Sequence, residues 1–186
     1  MPFNTCKNNS AKKPLRVKCW LLLVSIMLFL PTKTYSSQPD EYTLKSAFLY
    51  NFSVFTTWPD QSFATFNLCI YGNDPFGKKL DFLLQQKTIY DRAIVVHRVD
   101  QREKLIPCQF VFITQSEAHH FADIVNSLAN YPILTVADSP GASFHGVMLN
   151  MNVNDGRITF EANLTQAKKV GLVLSAQLLR LATEVY

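Results

Sequence analysis

The N-terminal segment places the strongest constraint on this chain, because it predicts that the protein folds outside the cytoplasm. Residues 12–18 are rich in Lys and Arg, and an apolar run of 11 residues follows at 20–30. Pro31 ends that run, and residues 34–36 (Thr-Tyr-Ser) have the small-x-small pattern of a cleavage site. This order of basic, apolar and small residues is typical of a secretory signal peptide.

The length of the apolar run decides between a cleaved leader and a transmembrane anchor. A membrane-spanning helix needs about 20 predominantly apolar residues, and this run has 11. We therefore predict a cleaved signal peptide over residues 1–36 and an exported domain over residues 37–186.

The charge of the exported domain differs in sign from that of the whole chain. The chain has 18 basic and 14 acidic residues and a formal net charge of +4. Residues 1–36 carry six of the basic residues and none of the acidic ones, so the remainder has 12 against 14, a net charge of −2. A slightly acidic domain has no general electrostatic attraction for nucleic acid. We therefore expect no nucleic-acid partner.

Two cysteines, Cys69 and Cys108, remain after the leader is removed. An even pair in an exported domain favours a disulfide, because the compartment outside the cytoplasm is oxidising. The alternative is two free thiols in the core, where cysteine is common. The spacing of the pair fits no zinc motif.

The hydrophobic pattern of the domain alternates between strands and helices. Apolar and β-branched runs predict strands, and a 3.6-residue apolar period predicts helices. Asn154 to Gly156 is a hairpin signal, and Asp40 is positioned to cap the first helix. This alternation predicts an α/β three-layer sandwich with a mostly parallel central sheet, a C-terminal β-hairpin and flanking helices. The predicted strands are 66–71, 93–99, 110–113, 133–137 and the hairpin pair 147–153 and 157–161; the predicted helices are 41–55, 78–86, 116–129 and, in two pieces split near Gly171, 164–183.

The sequence carries no recognisable catalytic motif. Residues 72–79 approach a phosphate-binding loop, but Lys79 stands where that motif needs Ser or Thr. There is no Gly-x-Ser-x-Gly elbow and no His-x-x-x-His pair. We therefore predict no catalytic residue, no metal site and no cofactor, and expect a binding or regulatory module.

Two sets of residues are candidates for binding. A small ligand would lie outside the carboxyl ends of the parallel strands, and polar residues of the last strand and helix could join it. The first helix is rich in aromatic residues that cannot all share one apolar stripe, so the segment that follows it offers a surface for a protein partner. The predicted ligand residues are Asn73, Asp74, Phe76, Asp138, Ser139, Glu161 and Arg180; the predicted partner residues are Phe55, Trp58 and Phe63.

The order and spacing of several short stretches resemble the YfiR family of periplasmic regulators over nearly the whole exported domain. The matching stretches are 42–52, 57–59, 68–77, Cys108 before its strand, 133–138, 156–163 and 178–182. The resemblance implies a periplasmic location and an α/β dimer with disulfides, of which Cys69 and Cys108 match one. A second disulfide of the family, near residues 143–151, has no cysteines here.

The resemblance also implies a function and partners. YfiR-like proteins bind the periplasmic sensor domain of a membrane diguanylate cyclase (YfiN-like) and hold it inactive, which lowers cyclic-di-GMP and biofilm formation. An OmpA-like outer-membrane lipoprotein (YfiB-like) sequesters the regulator and releases the cyclase. We expect that function here, with a likewise dimeric protein. The alternative is a periplasmic small-ligand-binding module that serves another membrane sensor, such as a histidine kinase.

Overall fold

The computed structural model describes residues 40–154 and 156–186. The predicted signal peptide lies outside these residues. Within them, no helix has the length and apolar character needed to cross a membrane.

An eight-stranded sheet forms the centre of the domain, in the order β10-β8-β7-β6-β5-β2-β4-β3. Its neighbouring strands are parallel except for the antiparallel pairs β7–β8 and β3–β4, and β1 pairs with β9 in a separate two-stranded sheet. The strands are β1 Thr56–Thr57, β2 Phe66–Tyr71, β3 Thr88–Ile89, β4 Arg92–Val99, β5 Phe110–Ile113, β6 Leu134–Ala137, β7 Leu149–Asn154, β8 Arg157–Ala162, β9 Val173–Leu174 and β10 Glu184–Val185.

Over residues 40–154 and 156–186, five α-helices and three short 3-10 helices accompany the strands. The α-helices are α1 Glu41–Val54, α2 Lys78–Leu84, α3 Phe121–Ser127, α4 Leu164–Lys169 and α5 Ala176–Leu181; the 3-10 helices are Arg102–Leu105, Gln115–His120 and Ala142–His145. The Asp40 carboxylate accepts a hydrogen bond from the backbone N–H of Thr43 at 3.1 Å and so caps α1, as the sequence predicts.

The central strands are buried on both faces, because successive side chains of a strand point to opposite sides. Ile70 and Phe112 belong to one core cluster, together with residues of α1, α2 and α5. Cys69 and Val111 belong to a second cluster, together with residues of α3. Helices therefore cover both faces of the sheet, which confirms the predicted three-layer α/β fold.

The structure departs from the predicted elements in two places. The predicted helix 116–129 begins as a 3-10 helix and becomes α-helical only at Phe121. The predicted helical region 164–183 is interrupted by β9, which pairs with β1 after Gly171 turns the chain at a φ of +79°. A two-residue strand is too short to show a hydrophobic period, which is why β1, β3, β9 and β10 were not predicted.

The two cysteines of the domain form a disulfide, as the sequence predicts. Cys69 lies in β2, Cys108 lies just before β5, and their Cα atoms are 6.1 Å apart. That separation is usual for a disulfide. The bond ties the interior strand β2 to the segment that enters the neighbouring strand β5.

A buried ion pair holds α1 against the carboxyl edge of the sheet. Lys45 Nζ lies 2.5 Å from Asp138 Oδ2, and both side chains are 4 % exposed. Lys45 also pairs with Glu41 one helical turn earlier, and its ammonium lies 4.6 Å from the ring centroid of Tyr42. Burial lowers the pKa of Lys45, but hydrogen bonds to Asp138 and Glu41 outweigh burial and leave the pKa above its usual value.

We expect the disulfide to contribute much of the stability of the domain. It closes a loop between residues 39 positions apart, which the chain-entropy model equates with about 4 kcal/mol. Reduction, or the double substitution Cys69→Ala/Cys108→Ala, should lower the free energy of unfolding in urea by about 2–4 kcal/mol. The double variant serves as the control, because a reductant should not change its unfolding curve. An equal effect of the reductant on both proteins would contradict this expectation.

We expect Lys45→Met to be strongly destabilising, because it leaves Asp138 buried without its counter-ion. The free energy of unfolding, measured in urea, should fall by about 3–5 kcal/mol. Lys104→Met is the matched control, since Lys104 and Asp100 form an exposed pair of the kind worth about 0–1 kcal/mol. Because the pKa of Lys45 is raised in the folded protein, the ion pair contributes its full stabilisation of the fold at neutral pH. That contribution is lost as the pH rises through the raised pKa of Lys45. Equal losses for the two variants would contradict this account.

Candidate functional site

The carboxyl edge of the sheet, where the sequence placed a ligand site, is packed with the protein's own side chains. Gly72 follows β2 with a φ of +97°, and a Cβ atom there would clash with Thr114 Oγ1 and Ser116 Oγ. Ser116 Oγ also accepts a hydrogen bond at 3.0 Å from the backbone N–H of Asn73. Chain connections leave β2 and β5 toward opposite faces of the sheet, which is the arrangement that opens a ligand crevice in doubly wound folds. Here Thr114 and Ser116, in the segment after β5, occupy the place where such a crevice would open.

Asp74 and Phe76 also have structural partners. Asp74 accepts hydrogen bonds from the backbone N–H of Phe76 at 2.8 Å and from Arg98 Nε at 3.0 Å. Arg98 binds both carboxylate oxygens of Asp81 as well, and this lowers the pKa of Asp81. The ring of Phe76 is buried and packs edge-on against Phe112. An open depression of about 650 Å³ beside α2 includes Asp74 but not Phe76 among its lining residues.

The other four predicted ligand residues lie in separate settings. Asp138 is bound to Lys45, and the backbone N–H of Ser139 donates to Asn150 Oδ1 at 3.2 Å. Glu161 Oε1 accepts from Asn152 Nδ2 at 2.9 Å, and Arg180 is exposed on α5.

Two of these residues keep a buried oxygen without a hydrogen-bond partner among the described residues, namely Ser139 Oγ and Glu161 Oε2. Ligand binding by the seven predicted residues stays a prediction, and the structure distributes them over several environments rather than one cavity.

The three predicted partner residues differ in exposure. Trp58 is 2 % exposed, and its indole Nε1 donates to the backbone carbonyl of Gln109 at 3.2 Å. Its ring therefore belongs to the core, and its role as a partner anchor stays a prediction. Phe55 and Phe63 are half-buried against the same core cluster. Their contact with a partner stays a prediction.

The amino edge of the sheet contains a cavity of about 220 Å³, which we call the amino-edge cavity. Its walls come from the segments that enter β2, β5 and β6, three adjacent strands. Its lining residues are the apolar Trp58, Phe63, Ile106, Tyr131, Pro132 and Ile133, the polar Asp60, Ser62 and Gln109, and the disulfide-bonded Cys108. Two of the predicted partner residues, Trp58 and Phe63, thus meet at one site.

Exposed apolar side chains surround this cavity. Ile106 is 46 % exposed and Tyr131 is 36 % exposed. Sequence reasoning missed both residues. A sequence signal for both was present: Ile106 and Tyr131 each directly precede a proline shortly before a strand, as Trp58 does.

An aromatic cluster supports the wall that carries Phe63. The ring centroids of Phe63 and Tyr90 are 6.3 Å apart, and Tyr90 lies 6.5 Å from Trp58. Tyr90 and Asp91 form the turn between β3 and β4 with φ values of 52° and 59°. Two consecutive non-glycine residues in the left-handed region are uncommon and cost conformational energy. The surrounding contacts, including a hydrogen bond from Tyr90 Oη to the carbonyl of Thr56 at 3.1 Å, compensate for that cost.

The disulfide forms part of the wall of two cavities. Cys108 lines the amino-edge cavity, and both cysteines line a neighbouring groove of about 330 Å³ that also includes His97 and Lys104. The position of the amino-edge cavity therefore depends on the crosslink that holds the segment before β5 in place.

The charge at the amino-edge cavity is that of a single carboxylate. Among the described residues that line it, Asp60 is the one with an ionised side chain. Hydrogen bonds from the backbone N–H and the hydroxyl of Ser62, both at 2.9 Å, lower the pKa of Asp60. Asp60 is therefore negatively charged at neutral pH.

The described part of the chain contains no group of three or more His, Cys, Asp or Glu side chains placed to hold a metal ion.

Comparison with solved structures finds matches at low sequence identity. A conserved domain protein from Vibrio cholerae O1 biovar El Tor matches with a TM-score of 0.53 and 8 % identity over 81 % of this chain and 62 % of its own. The ABC domain from Streptococcus pneumoniae, solved in complex with L-Trp, matches with a TM-score of 0.48 and 9 % identity over 66 % of this chain and 55 % of its own. This chain thus spans less than two thirds of either protein, and the first likeness concerns the fold alone.

Comparison with protein families identifies the chain. The sequence profile of the family described as DUF4154, YfiR/HmsC-like, matches residues 42–183. This match covers most of the chain and confirms the resemblance seen in the sequence. The protein belongs to the YfiR/HmsC-like family.

Proposed function

We propose that this protein is a periplasmic regulator that binds the periplasmic sensor domain of a membrane diguanylate cyclase and represses it. The family assignment supports periplasmic regulation of diguanylate cyclase signalling as the general role. The observation that carries the more specific proposal is the amino-edge cavity, where exposed apolar side chains surround a preformed depression.

The chemistry of this edge suits a protein partner. Hot spots in protein interfaces are enriched in aromatic side chains that fill pockets near the centre of the contact. Phe63, Ile106 and Tyr131 line the cavity from three different segments of the chain. The rigid β-strands behind these residues hold them in place, so binding costs little ordering of the surface.

Repression follows from unequal affinity for two conformations of the sensor domain. A ligand shifts an equilibrium only by the difference between its affinities for the two states. Moving a sensor from 1:99 to 99:1 in favour of its inactive state needs about 5.5 kcal/mol of differential affinity. An interface of standard size with a few buried aromatic anchors supplies energies of that order.

Release follows from competition for the regulator. An outer-membrane lipoprotein of the OmpA-like type that binds the regulator lowers its free concentration, and the sensor returns to its active state by mass action. The dimeric state stays a prediction from the family resemblance.

The proposal is tested in cells by deleting the gene and measuring cyclic-di-GMP. We expect the cyclic-di-GMP level and surface attachment to rise after deletion and to return to the original level when the intact gene is supplied. An unchanged cyclic-di-GMP level after deletion would contradict repression of a diguanylate cyclase.

The surface is tested by complementing the deletion with the double variant Ile106→Asp/Tyr131→Asp. Both residues are exposed, so we expect folding to persist and repression to be lost, because burying a carboxylate in an apolar contact is costly. Phe82→Asp is the matched control, since Phe82 is 75 % exposed on α2 outside the amino-edge cavity. Full repression by the double variant, with the control also active, would show that the amino edge is not the contact surface.

A further inference from the structure

The amino-edge cavity combines aromatic lining residues with one solvent-exposed carboxylate, Asp60, that has no cationic partner among the described residues. Trp58, Phe63 and Tyr131 contribute rings to its lining. No Lys, Arg or His lies among the described residues that line it, and Asp60 forms no ion pair with any residue that the structure describes. An anionic group beside aromatic surfaces is complementary to a cation, because ring faces also carry negative potential.

The geometry of the carboxylate leaves it able to accept more hydrogen bonds. Asp60 Oδ1 accepts from the backbone N–H of Ser62, and Asp60 Oδ2 accepts from the Ser62 hydroxyl. A carboxylate has about four lone-pair positions, so each oxygen keeps one position unused by these contacts. Two parallel acceptors match the forked N–H groups of a guanidinium.

An arginine side chain fits this combination better than a lysine side chain. The guanidinium is planar, stacks on aromatic rings and donates two hydrogen bonds to one carboxylate, whereas the ammonium of lysine is a compact and strongly hydrated point charge. The Ser62 contacts fix the orientation of the Asp60 carboxylate in advance, which reduces the ordering cost of binding.

We propose that the amino-edge cavity receives an arginine side chain of the partner polypeptide, with the guanidinium paired to Asp60 and stacked beside the rings of Phe63 and Tyr131, which keep exposed surface. This inference rests on the proposed function in taking the occupant to be part of a protein. It adds the chemistry by which the partner is recognised. The partner would present an arginine, and apolar residues next to that arginine would cover the exposed Ile106.

The direct test uses a capped amino acid as the probe. Trp58 is the one tryptophan after residue 36, and its indole N–H reports on the cavity by ¹⁵N–¹H correlation spectra. Titration of the purified protein with N-acetyl-L-arginine amide should shift this signal saturably, with a dissociation constant in the millimolar range. N-acetyl-L-citrulline amide has nearly the same shape without the charge and should bind on the order of tenfold more weakly.

Variants separate the carboxylate from the cavity shape. Asp60→Asn should weaken binding of the arginine probe by about tenfold, while Asp123→Asn, which removes an exposed carboxylate on α3, should leave it unchanged. Equal binding of the arginine and citrulline probes, or no saturable shift at all, would overturn the inference.

The same variant separates this inference from the proposed function in cells. If gene deletion raises cyclic-di-GMP and Asp60→Asn raises it as well, both proposals are supported. If deletion raises cyclic-di-GMP but Asp60→Asn represses fully, the arginine contact is wrong and the repressor role stands. If deletion has no effect, the repressor role fails whatever the probe titration shows.

Discussion

The crosslink between Cys69 and Cys108 is the constraint on which the amino-edge cavity depends. Cys69 belongs to β2, in the middle of the sheet, and Cys108 belongs to the segment that enters β5. That segment also carries Ile106 and Gln109, which line the cavity. A covalent bond therefore sets the distance between the sheet and one wall of the site. Such a bond forms and persists in an oxidising compartment, which agrees with the periplasmic location of the YfiR-like family.

In doubly wound folds, ligands bind outside the carboxyl ends of the strands, whereas the binding surface that we propose here lies at the amino edge. Here the carboxyl edge is occupied by internal contacts: Thr114 and Ser116 against Gly72, and Lys45 against Asp138. The amino edge carries the cavity with exposed apolar residues. The internal contacts at the carboxyl edge stabilise the fold and leave little space for a ligand. The exposed apolar residues at the amino edge favour contact with another protein.

The sequence was sufficient for the elements with a strong hydrophobic period and insufficient for contacts that join distant segments. The strand 66–71 coincides with β2 because it is a continuous β-rich run ended by a turn. The place of Lys45 in the interior was not predictable, because its counter-ion Asp138 is 93 residues away in the chain. The burial of Trp58 was not predictable for the same reason: its hydrogen-bond acceptor, the carbonyl of Gln109, is 51 residues away.

If the amino edge is the surface that meets the sensor domain, binding should protect it from solvent. Hydrogen–deuterium exchange of the regulator, measured alone and with the purified periplasmic domain of the cyclase, detects such protection. We expect added protection to be concentrated at residues 58–63, 106–109 and 131–133, the three segments that line the cavity. Protection at residues 73–82 around α2, with these three segments unchanged, would contradict it.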